Sequence, residues 1–308
     1  MTEVVFERLA EAYDPGLYAG SLPATSLAGF EAVDDEALAQ YTAFGYLHIE
    51  RAFSAEEVDA GRTELEAMAL AADPRCKAVF YEGLLRRHLA MEGPARLGEG
   101  VEQGKNFSMG ETAEELPVVD PELRARHVRK FMGFVEHHPP LRVFAEKPPL
   151  AQLIERLIGG PYRIYQDMAL IKPPGGREKP WHQDHAYFNF PLDTRIVGIW
   201  IPFEEVTPEN GCMHLLAGAH RDGPQTHFMR RDWQICDTEI PHSNQTAVPM
   251  AAGDVLLFDA KLPHGTPANR TDSMRWAVQY HFVPENVVRT DDQVRLEAFG
   301  AEGKDVTC

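Results

Sequence analysis

The chain has 308 residues, 44% hydrophobic and 25% charged, the balance of a soluble globular protein with a sizeable core and room for one large domain or two small ones. Its 47 acidic against 30 basic residues leave a formal charge of −17, which repels nucleic-acid phosphates and anionic membrane surfaces, and no basic patch offsets it. The N-terminus has neither a basic start nor an apolar run of signal-peptide length, and no segment approaches the roughly 18 apolar residues of a membrane span. A cytoplasmic monomer or homodimer without nucleic-acid or membrane partners is expected.

No internal repeat and no Ser/Gly linker divides the sequence, so a single domain over residues 1–308 is expected. Its helix-rich part, 1–160, would pack on a β core at 161–285, with 286–308 as a C-terminal tail. Residues 44–50 read as a short strand entered through Gly45. A helix follows: Ser54 and Glu57 form a capping box, Phe53 and Val58 occupy the staple positions, and helix formers continue to about Ala72. Residues 93–117, rich in Gly and Glu without periodicity, read as a long loop, either a lid or a plain surface loop. Helical pattern returns near Pro121. A second clear helix covers 149–158, with Leu150, Leu153, Ile154, Leu157 and Ile158 on one face, proline at its start and Gly159-Gly160 at its end. From Tyr162 the texture changes to short apolar or alternating runs at 162–171, 196–203, 212–216, 254–259 and 275–283, separated by Pro, Gly and Asn. Such runs predict a β sandwich or barrel. The four cysteines, Cys76, Cys212, Cys236 and Cys308, are scattered without a CxxC pair, as free thiols would be.

The densest polar cluster is Trp181-His182-Gln183-Asp184-His185. In extended chain, residues i and i+2 share a face, so His182 and Asp184 can converge on one ion while Gln183 points away. His185 competes with His182 as ligand, but adjacent Asp184 and His185 would point to opposite faces. A third ligand stands after the apolar run 254–259, at His264, followed by a polar loop. Two histidines and one carboxylate on one face of an octahedron leave open positions, as in non-haem iron(II) oxygenases. An HxD pair or a lone post-strand histidine is by itself weak. Their combination gains weight from Arg275, which opens the last strand and can grip a carboxylate with two parallel bonds, as 2-oxoglutarate requires. Arg270 competes for that role but lies in the polar loop.

The ordered set Lys172-Pro173-Pro174, Trp181-His182-Gln183-Asp184-His185-Ala186-Tyr187-Phe188, Asn210-Gly211-Cys212, Gly218-Ala219-His220, His264 and Arg275 resembles the phytanoyl-CoA dioxygenase family of iron(II)/2-oxoglutarate oxygenases over roughly residues 44–283. The resemblance implies an α+β protein with a mainly β core, a double-stranded β-helix (jelly roll, cupin-like) with a helical N-terminal elaboration. It implies Fe(II) on His182, Asp184 and His264, with 2-oxoglutarate and O2 as co-substrates. Arg275 would hold the far carboxylate of 2-oxoglutarate and Thr266 would donate a hydroxyl to it. Trp200, Met168 and Lys130 match positions lining the co-substrate pocket. Core packing accounts equally for Trp200 and Met168, and a solvated helix position for Lys130. Gln183, His185, Tyr187, Phe188 and Gln166 would surround the metal or the substrate, while His220 is a turn residue. The implied reaction is a dioxygenase's: 2-oxoglutarate goes to succinate and CO2 while a small organic substrate is hydroxylated at an unactivated C–H bond. An aspartate at 184, where halogenating relatives have a small residue, favours hydroxylation. The rival readings are a cupin-like zinc hydrolase and a non-catalytic metal-binding protein.

Overall fold

The computed structural model describes residues 2–7, 9–20, 22–71, 74–85, 111–112 and 120–300. The loop expected at 93–117 and Cys308 lie outside them, apart from a two-residue strand, Glu111–Thr112. Among the described residues there are seventeen strands: β1 Glu3–Phe6, β2 Leu22–Pro23, β3 Ser26–Leu27, β4 Tyr46–Ile49, β5 Ala78–Tyr81, β6 Glu111–Thr112, β7 Val128–Met132, β8 Tyr162–Lys172, β9 Lys179–His182, β10 Val197–Pro202, β11 Met213–Leu215, β12 His227–Met229, β13 Trp233–Ile235, β14 Thr246–Val248, β15 Val255–Asp259, β16 His264–Thr266 and β17 Arg275–Pro284. The helices used below are α1 Asp35–Phe44, α2 Ala55–Leu70, α3 Pro121–His127, α4 Pro139–Glu146, α5 Pro148–Ile158 and α6 Asp292–Phe299.

Ten strands form a large sheet in the order β3-β4-β15-β10-β17-β8-β7-β5-β1-β6, and five form a smaller one, β2-β14-β11-β16-β9. The alternation of side chains across the large sheet sorts them into two layers. Ile199, Ile201, Val255, Leu257, Val278 and Tyr280 join one core with Val58 and Leu65 of α2 and Leu150 and Ile154 of α5. Their neighbours Trp200, Leu256, Phe258 and Ala277 face the other way, onto Met213, Leu215 and Val248 of the small sheet. Both faces of β10, β15 and β17 are therefore covered, which is why they read as nearly unbroken apolar runs. The result is the jelly roll, two facing sheets with helices on the outside of the larger.

Local chemistry sets the helix ends. Ser54 accepts from the Glu57 amide at 3.3 Å and Glu57 returns a carboxylate to the Ser54 amide at 2.8 Å, so the capping box opens α2 as read. Gly45 ends α1 with φ +80°, and a Cβ there would come within 2.5 Å of His220 Nδ1. Glycine serves both demands. On α5, Leu150, Leu153, Ile154 and Ile158 are buried, each contributing up to about 1.5–3 kcal/mol by area.

Two expectations change. The N-terminal part is not only helical: β1, β3, β4, β5, β6 and β7 complete the large sheet, because a jelly-roll sheet needs partners on both sides of β8 and β15. Within the expected tail at 286–308, the described residues 286–300 hold α6, which buries Phe299 against His185 and His227, with ring centroids at 5.7 and 5.9 Å. Short apolar spacing around Phe299 gave no sign of that docking.

Candidate metal centre and adjoining cavity

β9 and β16 run antiparallel with His182 opposite His264, and the ladder slips between His264 and Thr266. The strand ends at His182. Gln183 continues extended, and Asp184 opens a one-turn 3₁₀ helix, Asp184–Tyr187. His182 and Asp184 still share a face, because Gln183 keeps extended dihedrals although the ladder has stopped.

The donor atoms of His182, Asp184 and His264 all lie within 4.8 Å of one another, and all three residues are buried. His182 Nε2 is 3.2 Å from Asp184 Oδ1 and His264 Nε2 3.7 Å from Asp184 Oδ2. Bonds of about 2.1 Å to one ion place neighbouring donors about 3 Å apart, so the set fits a divalent first-row metal. The tautomers fit too. His182 Nδ1 donates to the Pro180 carbonyl at 2.8 Å and His264 Nδ1 to the Leu262 carbonyl at 2.9 Å, leaving each Nε2 lone pair free to bind. Burial pushes His264 down to about 4, keeping it neutral. Burial works to raise Asp184, but the neighbouring imidazoles, His264 first, hold it well below the usual carboxylate range.

Asp184 Oδ2 also accepts from His281 Nε2 at 2.7 Å and Gln279 Nε2 at 3.0 Å. Neither residue was singled out from the sequence. The signal was present: Arg275, Ala277, Gln279 and His281 alternate along β17, so they share the face that Arg275 was already assigned.

A cavity of about 180 Å³ opens beside the donors. Arg275 lies at its base, 2% exposed, its guanidinium 5.3 Å from the Trp200 ring; Nη1 donates to the Leu170 carbonyl and Nε has no partner. Burial lowers its pKa to about 10, and it stays charged at neutral pH. Thr266, Trp200, Met168 and Lys130 line the same cavity, as do Tyr187, Phe188 and Gln166. Arg270, the competitor, is exposed. Lys172 also faces in, and its Nζ reaches three carbonyls, of Arg177, Pro267 and Thr266, at 2.7, 2.8 and 3.3 Å. Burial, then the Arg275 charge, depress this amine strongly. A neutral amine has only two N–H groups for three acceptors, so the contacts describe an ammonium.

Gln183 and His185 do not line the cavity. Gln183 donates to the Gly223 and Lys261 carbonyls at 2.9 and 2.6 Å and accepts from the Gln225 amide at 2.7 Å, which ties the metal-bearing turn to flanking loops. His185 turns to the far side, against Phe299. Strand alternation turns Gln183 away, since it is extended and one residue out of phase with His182; His185 is carried to the other side by the 3₁₀ turn that Asp184 opens. His220 sits in the turn after β11 and donates to or accepts nothing from the cavity; its Nε2 meets the Thr42 carbonyl at 3.2 Å.

A jelly roll with two histidines and a carboxylate at one end of its small sheet defines the class of mononuclear metal-centre proteins built on this fold. A profile of the phytanoyl-CoA dioxygenase (PhyH) family matches residues 41–277, and the chain belongs to that family. A "Probable phytanoyl-CoA dioxygenase" of Caenorhabditis elegans is 28% identical over 53% of this chain and 56% of its own length. The "Phytanoyl-CoA dioxygenase domain-containing protein 1" of Danio rerio is 24% identical over 84% of this chain and 93% of its own. The match spans between 49% and 60% of the length of the first phytanoyl-CoA dioxygenases compared. Among solved structures, EvdO2 from Micromonospora carbonacea var. aurantiaca, complexed with 2-oxoglutarate, superposes with TM-score 0.59 at 19% identity, covering 87% of this chain and 96% of that one. That likeness shows the fold. No helix among the described residues is long and apolar enough to cross a membrane.

Proposed function

We propose that the protein is an iron(II)- and 2-oxoglutarate-dependent dioxygenase that hydroxylates an unactivated C–H bond of a small organic substrate. The observation that carries this reading is the convergence of His182, Asp184 and His264 on one point of a cavity whose base is a buried arginine. His182, Asp184 and His264 would hold Fe(II), which when bound supplies oxygen activation coupled to oxidative decarboxylation of 2-oxoglutarate to succinate and CO2.

The chain's own contribution is placement. Arg275 keeps Nε unpaired and can close on the far carboxylate of 2-oxoglutarate with two parallel bonds. Thr266, 7% exposed, offers its hydroxyl to the same carboxylate. Trp200 stacks against the guanidinium and fixes its plane, while Met168 and Lys130 wall the skeleton between base and metal. The Lys172 ammonium adds positive charge where the carboxylate would rest. His281 and Gln279 fix the Asp184 carboxylate and spare it a second conformation. Burial of all three ligands keeps bulk water from the centre. The same reading places the protein in the cytoplasm, and the acidic composition supports the absence of a nucleic-acid partner.

Anaerobic protein mixed with iron(II) and 2-oxoglutarate is expected to develop a weak visible charge-transfer band that Arg275→Ala loses. No band in the native protein, or an unchanged band in the variant, overturns the proposal; succinate release separates it from a zinc hydrolase.

A further inference from the structure

The cavity has a second charged group, at its mouth and not its base. Tyr187 is 36% exposed and its ring stands edge-on to His182, centroids 5.8 Å apart. Lys179 Nζ lies 3.0 Å from the Tyr187 hydroxyl and 2.8 Å from Asp232 Oδ2, and its side chain keeps 30% exposure. Asp232 comes from the turn of the β12–β13 hairpin, 53 residues away. The base of the cavity, by contrast, is nearly closed, with Arg275 and Lys172 each 2% exposed.

A count of donors and acceptors gives the sign of the missing ligand. The Tyr187 hydroxyl donates to the Trp233 carbonyl at 2.8 Å and accepts from Lys179, so it is satisfied. Asp232 Oδ1 accepts from the Trp233 amide, and Oδ2 accepts from Lys179 and, at 3.4 Å, from Arg177. Glu7, the other acid on this wall, faces Arg129 at 3.5 Å and Arg177 at 3.2 Å. Both carboxylates are spent on cations. Lys179 has three N–H groups and two acceptors, and Lys130 has no hydrogen-bond acceptor among the described residues, only the Phe80 ring at 3.7 Å. Even with Lys130 given to the co-substrate, Lys179, which lines the cavity, has one N–H more than its acceptors among the described residues. An amine substrate would meet two acids already paired and a fixed ammonium. An anion would meet the remaining Lys179 donor and, beside it, the Lys130 ammonium, which has no carboxylate partner among the described residues.

We infer that the substrate carries a carboxylate, and that Lys179, held by Asp232 and Tyr187, binds it at the cavity mouth so that a C–H bond a few carbons along faces the metal. This rests on the proposed function for the position of the metal and co-substrate. Lys179 sets substrate choice and takes no part in holding 2-oxoglutarate.

The test is a calorimetric titration of the full chain loaded with zinc(II), with and without saturating 2-oxoglutarate. The probes are straight-chain monocarboxylates from butanoate to decanoate and phenylacetate, each beside its amide and its amine, with free coenzyme A as a separate arm. At least one acid is expected to bind at least tenfold tighter than its amide and amine. Lys179→Met should remove that preference, while Lys179→Arg and Arg275→Ala should keep it. No preference for acids, an unchanged preference in Lys179→Met, its loss in Arg275→Ala, or tight binding of coenzyme A that ignores Lys179→Met would each overturn the inference. Titration of 2-oxoglutarate alone reads the co-substrate proposal separately: it should bind the native protein and Lys179→Met and fail with Arg275→Ala. If it binds none of them, that proposal falls while the acid titrations without it still decide the role of Lys179.

Discussion

His281 is fully buried, with one ring nitrogen on the Asp184 carboxylate and the other without a partner. A carboxylate only accepts, so Nε2 carries the proton and the ring acts as a donor that orients a ligand. Outer donors of this kind are typically worth about 10- to 100-fold in metal affinity. His281→Phe keeps an aromatic ring against Phe188 and removes the donor. We expect it to weaken zinc binding, measured by competition with a chelator, by about that factor with little change in the melting temperature of the metal-free protein; equal affinity would show that Gln279 suffices. The three ligands and Arg275 were legible as residue types at workable spacings. Gln279 and His281 share the Arg275 face by alternation, but alternation does not say which of the residues on that face reaches Asp184, some 95 positions away in sequence. Lys179 and Asp232 were hidden by their separation of 53 positions.

Two features act at the level of strands. Gly198 on β10 faces Phe258 on β15, and a Cβ there would fall 2.6 Å from the Phe258 ring, whose centroid is 4.9 Å from that of His264. Gly198→Ala therefore presses on a metal ligand through one aromatic ring. It is expected to cost about 1–3 kcal/mol in stability and to weaken metal binding as measured by competition with a chelator; unchanged affinity would show that the shift of the Phe258 ring stops short of His264. Glu204, just past β10, accepts from the Trp276 amide of β17 and from Arg62 of α2 at 3.0 Å. Burial raises its pKa to about 7. The folded state thus holds a proton that the unfolded chain releases near pH 4.5, so stability present below about pH 4.5 is lost as pH rises towards 7. The slope is at most about 1.4 kcal/mol per pH unit. Glu204→Gln lacks that proton, and the melting temperature of the native protein relative to this variant is expected to fall from pH 5 to pH 8. A constant difference would show an ordinary carboxyl.

Across the whole molecule, the metal centre ties elements far apart in sequence: β9 and its turn to β16, and through Asp184 to β17 of the other sheet. Occupancy should therefore stabilise the fold as a unit. At a metal concentration one hundred times its dissociation constant the gain is about 2.7 kcal/mol, or roughly 4 °C in a domain of this size, and a chelator should reverse it. A melting temperature indifferent to zinc or manganese would count against the centre. The molecule's charge is −17, yet the cavity sets the cations Arg129, Lys130, Lys172, Lys179 and Arg275 against the acids Glu7, Asp184 and Asp232, a local excess of positive charge. At the roughly 8 Å screening length of physiological salt, that local set and not the overall charge governs an anion at the mouth. Composition argued against polyanionic partners and said nothing about a single carboxylate.

The sequence by itself determined what local chemistry controls. The capping box of α2, the apolar face of α5 and the runs that became β8, β10, β11, β15 and β17 follow from periodicity, caps and side-chain type over short spans, and the candidate ligands His182, Asp184 and His264 with Arg275 were picked out as residue types in an ordered set of motifs. The tertiary structure decided everything that depends on which faces meet. It drew the N-terminal strands into the large sheet, docked α6 behind His185, set His281 on Asp184, and brought Asp232 to Lys179. Those are long-range pairings, selected by the burial of whole sheet faces, and no local pattern records the partner.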